Sequence, residues 1–251
     1  MMKKFFKLGV TALLSLGLLA GCGSDDKQVL VMGTSADYPP FESIDEATGE
    51  IVGFDVDLAR YITEELGYEF EVRDMDFNGL IPALEGGRVD FVLAGMTPRP
   101  DRLERADFSD IYHEANNLIV SKADSGIDTV EDLAGKTIGV QLGSIQEEEA
   151  EGVLAPEVDG LQVEKRNRIP ELIQEILAGR IDAAIIEDTV AKGYLERYEE
   201  LSSFLLPHTE EAGSAIAFPK GSELLDPFNE VLNEMKENGK LEELILKWFD
   251  E

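Results

Sequence analysis

The sequence predicts an α/β protein made of two lobes of similar build, and three observations carry that expectation. From residue 28 onward, apolar runs of strand length alternate with stretches whose apolar residues recur at helical spacing. A composite pattern then occurs twice, about 90 residues apart. Ile81-Pro82 opens a short helix that leads into Gly87-Arg88-Val89-Asp90 and a buried strand; Ile169-Pro170 opens a helix that leads into Gly179-Arg180-Ile181-Asp182 and another. Two lobes of one design explain the recurrence. Finally, the first of these strands runs into Ala94-Gly95-Met96-Thr97-Pro98-Arg99-Pro100-Asp101-Arg102. A strand end, a small residue, a hydroxyl and an arginine thus converge on the crevice edge where open α/β sheets bind ligands. A guanidinium there can grip a carboxylate through two parallel hydrogen bonds.

The first 21 residues are expected to be a signal peptide. Lys3, Lys4 and Lys7 precede an apolar run over residues 8–20, which is shorter than the roughly 18–20 residues a spanning helix needs. The run ends in Leu19-Ala20-Gly21-Cys22 and gives way to polar residues. That ending resembles a bacterial lipobox, which implies cleavage before Cys22, acylation of its thiol and residues 22–27 as a tether. Cys22 is the only cysteine of the chain, so no intrachain disulfide is possible. The expected product is exported and held by lipid at the outer face of the cell membrane.

Taken in order, residues 29–33 read as a strand, and Tyr38-Pro39-Pro40-Phe41 as a rigid aromatic loop that cannot be helical. Val56, Leu58, Ala59, Ile62 and Leu66 mark a helix over 55–66, stopped by Gly67. A strand over 69–75 and a short helix over 78–84 follow, then the buried strand over 89–93 and a helix start at 101–105. Residues 118–121 and 136–142 read as strands. Thr129 with Asp132 caps a short helix between them, and Ser144 with Glu147 has capping-box spacing just after the second. Such a helix start offers free amides to an anion. Helices are expected over 169–177, 189–197, 223–238 and 241–248, with a strand over 181–186 and a late one over 215–218.

Charge narrows the partners. The formal net charge is −30; without the three lysines of the signal, 19 basic residues face 52 acidic ones, a balance of −33. Such a surface repels nucleic acid and anionic lipid and draws cations. Growth in high salt, where self-repulsion is screened, is the other explanation of so acidic a composition.

The order Tyr38-x-Pro-Phe41, Gly53-Phe54-Asp55-x-Asp57-Leu58, Gly79-Leu80-Ile81-Pro82-Ala83-Leu84, Ala94-Gly95-Met96-Thr97, Arg102, Asp107-Phe108-Ser109, Asp132-Leu133-x-Gly135-Lys136, Gly143-Ser144 and Gly179-Arg180-x-Asp182-Ala183 resembles the polar amino acid-binding proteins of ABC importers, solute-binding family 3. The stretches Gly33-Thr-Ser-Ala-Asp-Tyr38, Val140-Gln-Leu-Gly-Ser-Ile-Gln-Glu147 and Glu187-Asp-Thr-Val-Ala-Lys192 look closest to arginine-binding lipoproteins of Gram-positive bacteria. The resemblance implies a two-lobed, periplasmic-binding-protein-like fold of type II, its lobes joined by two crossing strands near 115–117 and 211–214. One lobe would comprise residues 28–116 and 213–251, the other 117–212, with the ligand between them. It further implies a monomer that serves a membrane permease, binds an amino acid by hinge closure and uses no cofactor or metal.

A free α-amino acid shows a carboxylate and an ammonium, and burying either unpaired is costly. Arg102 is the expected carboxylate clamp, helped by amides at Ser144 and Ile145. Thr97 can donate its hydroxyl or amide, Gly95 can offer its carbonyl to the ammonium, and Met96 lies in the same turn. Glu187, at the end of the second lobe's echo strand, is the expected countercharge, with Asp188 as its competitor. The family usually has aspartate there, so Glu187 is a departure. The ligand side chain would lie between Tyr38 and Phe77, whose rings can stack on a guanidinium or alkyl ammonium. Asp55 is the candidate for a distal cation, with a structural role as the alternative; Ser35, Glu42 and Gln146 are secondary candidates. Several relatives carry aspartate where this chain has Ser35, so lysine, histidine and glutamine stay open beside arginine. Neither histidine, His113 or His208, sits in a motif. The chain shows no nucleophile–base pair, metal-ligand cluster or phosphate loop. An enzyme such as a dehydratase-like relative, or a receptor module feeding a sensor, is thereby the lesser expectation.

Overall fold

Residues 28–207 and 212–249 are described by the computed structural model. The signal, Cys22 and the tether lie outside these residues, as does His208. Strand β1 (Val29–Thr34) is followed by a small meander of β2 (Asp37–Tyr38), β3 (Glu42–Ile44) and β4 (Ile51–Val52), then by α1 (Phe54–Glu65) and β5 (Glu69–Asp74). A 3-10 turn, Phe77–Gly79, enters α2 (Leu80–Glu85) and β6 (Phe91–Val92); the single-turn α3 (Pro100–Leu103) leads to β7 (Ala106–Phe108). Strand β8 (His113–Ala115) crosses to a second sheet. There follow β9 (Asn117–Lys122), a 3-10 turn at Val130–Leu133, β10 (Thr137–Gln141), α4 (Ile145–Glu149), a π-turn at Ala150–Leu154 and α5 (Ala155–Glu157). The second sheet is completed by β11 (Gln162–Arg166), α6 (Ile169–Leu177), β12 (Ala183–Glu187), α7 (Asp188–Arg197) and β13 (Leu201–Leu205). The chain returns through β14 (Ala212–Ser214) to β15 (Ala217–Pro219), α8 (Leu225–Asn238) and α9 (Lys240–Phe249).

Two five-stranded sheets result, ordered β5-β1-β6-β15-β7 and β11-β10-β12-β9-β13. They share one topology. In each, three neighbouring strands run parallel and the fourth and fifth complete the sheet in antiparallel pairings. The crossing strands β8 and β14 pair with each other as a separate two-stranded ribbon. This is the two-lobed α/β fold with two crossing strands.

The Gly-Arg-aliphatic-Asp echo has a physical cause. Asp90 accepts the Val31 amide at 2.7 Å through its side chain and returns its own amide to the Val31 carbonyl at 2.8 Å. Asp182 does the same with Thr137, at 2.8 Å in both directions. Each aspartate therefore closes the ladder where a helix hands the chain to the third parallel strand.

Apolar faces then assemble the lobes. Leu30, Phe91, Phe218 and Phe228 are buried between the first sheet and α1, α8 and α9. Ile173, Ile176, Ile186 and Val190 do the same between the second sheet and α6 and α7, and the same cluster runs through Tyr38 and Phe41.

Two expectations change. The helix start at 101–105 stops after one turn, because Ala106 must enter β7 and of the turn's side chains only Arg102 is buried. The strand expected over 89–93 keeps ladder pairing only at Phe91–Val92, although Val89 to Ala94 are all buried save Asp90. Among the described residues no helix is long and apolar enough to cross a membrane.

Candidate functional site

A narrow pocket opens at the carboxyl ends of the parallel strands of both sheets. From the side of the first sheet come Tyr38, Phe77, Ala94, Gly95, Thr97 and Arg102; from the side of the second come Gln141, Ser144, Ile145, Gln146 and Glu187. An arginine and a glutamate from opposite lobes therefore share one cavity.

Arg102 is buried because α3 is a single turn folded back onto the strand end. Its Nη1 donates to the Thr97 carbonyl at 2.8 Å and its Nη2 to the Gly143 carbonyl of the other lobe at 2.7 Å. Phe77 lies beneath it, with the guanidinium carbon 5.2 Å from the ring centre. Burial, and then the charge of Arg99, pull its pKa down to about 9. A guanidinium has five N–H donors, so this anchoring still leaves donors for a carboxylate.

Glu187 ends β12 and is buried. The Tyr38 hydroxyl donates to it at 3.0 Å and the Thr189 hydroxyl at 2.6 Å. Burial pushes its carboxyl up to about 7; the two hydroxyl donors oppose that shift, and the charge of Asp188 adds to it. A cation arriving beside this group would draw the pKa down again. Asp188, the competing candidate, instead faces the crossing segment, where it accepts from Asn116.

Gly95 is fixed by two constraints. Its φ is +56°, and a Cβ there would sit 3.0 Å from the Tyr38 ring. The close approach lays the ring across the turn that carries Gly95 and Thr97, with the phenol reaching Glu187.

Four candidates are not brought to the pocket wall: Asp55, Glu42, Ser35 and Met96. Asp55 stands behind the turn, where its Oδ2 accepts the Gly95 amide at 3.0 Å and the Tyr112 hydroxyl at 2.9 Å. The first turn of α1 points it under Gly95, so it shapes the site from below. Glu42 is fully buried beside it. Burial pushes Glu42 far above the usual carboxylate range, and the neighbouring Asp55 charge pushes it further. Ser35 donates to Asp37 at 2.6 Å. Met96 packs in the core under α2.

Ser144 lines the pocket, but its amide donates to the Gln141 carbonyl at 3.2 Å and so is not the free donor expected, and its hydroxyl is also committed to the chain. It donates to the Gln141 carbonyl at 2.7 Å and accepts the Glu147 amide at 3.1 Å, the cap the spacing predicted. Gln146 donates to Asn117 at 2.8 Å. Gln141 was not among the residues expected at the site. Its Nε2 donates to Asp37 at 3.3 Å and to the Asn167 carbonyl at 3.1 Å, which leaves Oε1 as an acceptor. A polar residue closing a buried strand, two positions before Gly143-Ser144, was the signal for it.

With this geometry in place, comparison with known proteins is informative. Residues 30–251 match the bacterial extracellular solute-binding proteins, family 3. The arginine-binding extracellular protein ArtP of Bacillus subtilis is 55% identical over 256 residues, covering 99% of this chain and 98% of its own. An ancestral arginine-binding protein solved with arginine bound superposes with a TM-score of 0.82 at 41% identity, covering 89% of this chain and 99% of that one. An ancestral arginine-binding protein solved with glutamine bound also gives a TM-score of 0.82 and 41% identity, covering 90% and 99%.

Proposed function

Because the chain belongs to family 3 of the bacterial extracellular solute-binding proteins, we propose that it is the extracytoplasmic binding component of an amino acid ABC importer and captures a polar or cationic L-amino acid, arginine foremost. The observation that carries this is that Arg102 from one lobe and Glu187 from the other line the same pocket. The spare donors of Arg102 take the α-carboxylate. Glu187 and the Gly95 carbonyl take the α-ammonium. The side chain lies between Tyr38 and Phe77, and Gln141 offers its Oε1 to a distal cation. Neither half holds the zwitterion alone, so binding favours the form in which the lobes have closed about the β8–β14 ribbon. We place the lobes at residues 28–116 with 213–251 and at 117–212. A membrane permease reads the closed form of a monomer that carries lipid on Cys22.

A thermal-shift panel of the twenty amino acids with ornithine and citrulline tests this. A ligand at about 100 times its Kd adds about 2.7 kcal/mol to the folded state. L-Arginine is expected to give the largest shift, with lysine, histidine and glutamine as the ligands to separate from it. A flat panel would overturn the proposal. Lipid anchoring is tested separately: Cys22→Ser should move the protein from the membrane fraction to the medium.

A further inference from the structure

Outside the pocket, a second set of contacts joins the lobes. Arg168 precedes α6 in the second lobe, and its side chain leaves that lobe altogether. Nη1 lies 2.9 Å from Asp74 Oδ1, Nη2 3.2 Å from Asp74 Oδ2, and Nε 3.0 Å from Asp76 Oδ1. Nη1 also approaches Asp37 Oδ1 at 3.3 Å and Ser35 Oγ at 3.5 Å. The residues on either side follow it across. Asn167 donates to Asp76 at 2.9 Å, and the Ile169 amide donates to Asp37 at 2.8 Å.

Three consecutive residues of one lobe thus grip three aspartates gathered near the ends of β1 and β5 in the other. Arg168, Asp74 and Asp76 do not line the amino acid pocket. Burial lowers the Arg168 pKa, but the hydrogen bonds it donates to Asp74 and the charges of Asp37, Asp74 and Asp76 more than offset this and hold it above the ordinary arginine value. Three clustered carboxylates repel one another, and drawing the lobes apart withdraws the cation that offsets the repulsion. Two further arginines cross between the lobes: Arg102, already placed at the pocket, and Arg99, which differs from Arg168. Arg99 reaches the Ser144 carbonyl at 2.9 Å, yet it also pairs with Asp101 of its own lobe at 2.7 Å, so opening leaves it paired.

We propose that Arg168 is a closing latch, a positioning residue that holds the lobes together through Asp37, Asp74 and Asp76 and sets how long any ligand stays rather than which ligand is chosen. This rests on hinge closure as proposed above. The latch belongs to the closed form alone, so its loss acts on the dissociation rate, and equally on every ligand.

Arg168→Gln and the double variant Asp74→Asn/Asp76→Asn test the latch from both sides. Both are expected to weaken L-arginine binding about tenfold, the size expected for a partly exposed, charge-assisted network. The dissociation rate should rise by the same factor, with the association rate and the far-ultraviolet circular dichroism of the ligand-free protein unchanged. A second amino acid that binds should lose affinity by the same factor. Small-angle scattering of the ligand-free proteins should show a larger radius of gyration in both variants than in the parent. An affinity within twofold of the parent, a loss confined to one ligand, or a loss accompanied by altered circular dichroism would each overturn the latch. Should the parent bind no amino acid, the proposed function fails, and the scattering comparison still decides the latch: equal radii overturn it.

Discussion

Glu187 lies buried between the Tyr38 and Thr189 hydroxyls, and burial carries its carboxyl from an ordinary value of 4.5 to about 7. The folded chain therefore holds a proton there that the unfolded chain has released across that window. Stability from this group falls as pH rises from about 4.5 to about 7, the reverse of a salt-bridged acid. On the proposed function ligand capture runs the other way, because an ammonium held by Glu187 needs the carboxylate. Affinity should be full above pH 7 and fall by up to about tenfold per unit below it. Glu187→Gln should flatten that profile in calorimetric titrations and weaken binding, while raising ligand-free stability at pH 8 by roughly 1–3 kcal/mol in urea unfolding. A stability loss at pH 8 would contradict the assigned electrostatics. That Arg102 and Glu187 reach the pocket was legible from strand ends and a proline-bounded turn, and that Tyr38 and Phe77 do so from the family resemblance. Asp55 and Glu42 were not, since an acid at a helix start can face a ligand or brace a backbone amide, and only the tertiary path of α1 decides. Gln141 escaped notice because its role depends on Asp37, 104 residues away.

At the scale of elements, the most legible feature was the repeated Gly-Arg-aliphatic-Asp, and the structure gives its reason in the reciprocal bonds of Asp90 with Val31 and of Asp182 with Thr137. Removing either carboxyl leaves a backbone amide of a central strand without its acceptor. Asp90→Ala and Asp182→Ala should each cost about 1–3 kcal/mol in urea unfolding. Costs below about 0.5 kcal/mol would make the echo a coincidence. The edge strands β7, β11 and β13 were not legible: Gln162-Val163-Glu164-Lys165-Arg166 has a wet face and few apolar residues, so its pattern is weak. The loop after β10 matters through a contact made only in the folded chain. Gly143 has φ +81°, and a Cβ there would meet the Asn78 Cβ of the opposite lobe at 2.9 Å. Gly143→Ala should weaken amino acid binding through impaired closure, beyond the roughly 1–2 kcal/mol of local strain. An unchanged Kd would show that the lobes do not approach there when ligand binds.

For the whole molecule, net charge and lobe closure pull against each other. The formal charge of −30 repels itself in every compact form, whereas the contacts between lobes depend on a few arginines, Arg168 above all. Raising NaCl from about 0.05 to about 1 M shortens the screening length from more than 10 Å to about 3 Å. The ligand-free melting temperature should therefore rise with salt while arginine affinity falls; both moving upward would contradict the charge balance described here. The two-lobed architecture was legible because the sequence repeats its own design, while the contacts between lobes were not, since they join residues far apart in the chain. The most direct test of the whole account is a calorimetric titration of L-arginine into the parent protein and into Arg102→Ala. Saturable binding by the parent and a loss of at least about a hundredfold in a folded variant are predicted, the scale set by leaving a buried carboxylate without its charged partner; near-parent affinity in the variant would mean that the guanidinium does not hold the ligand.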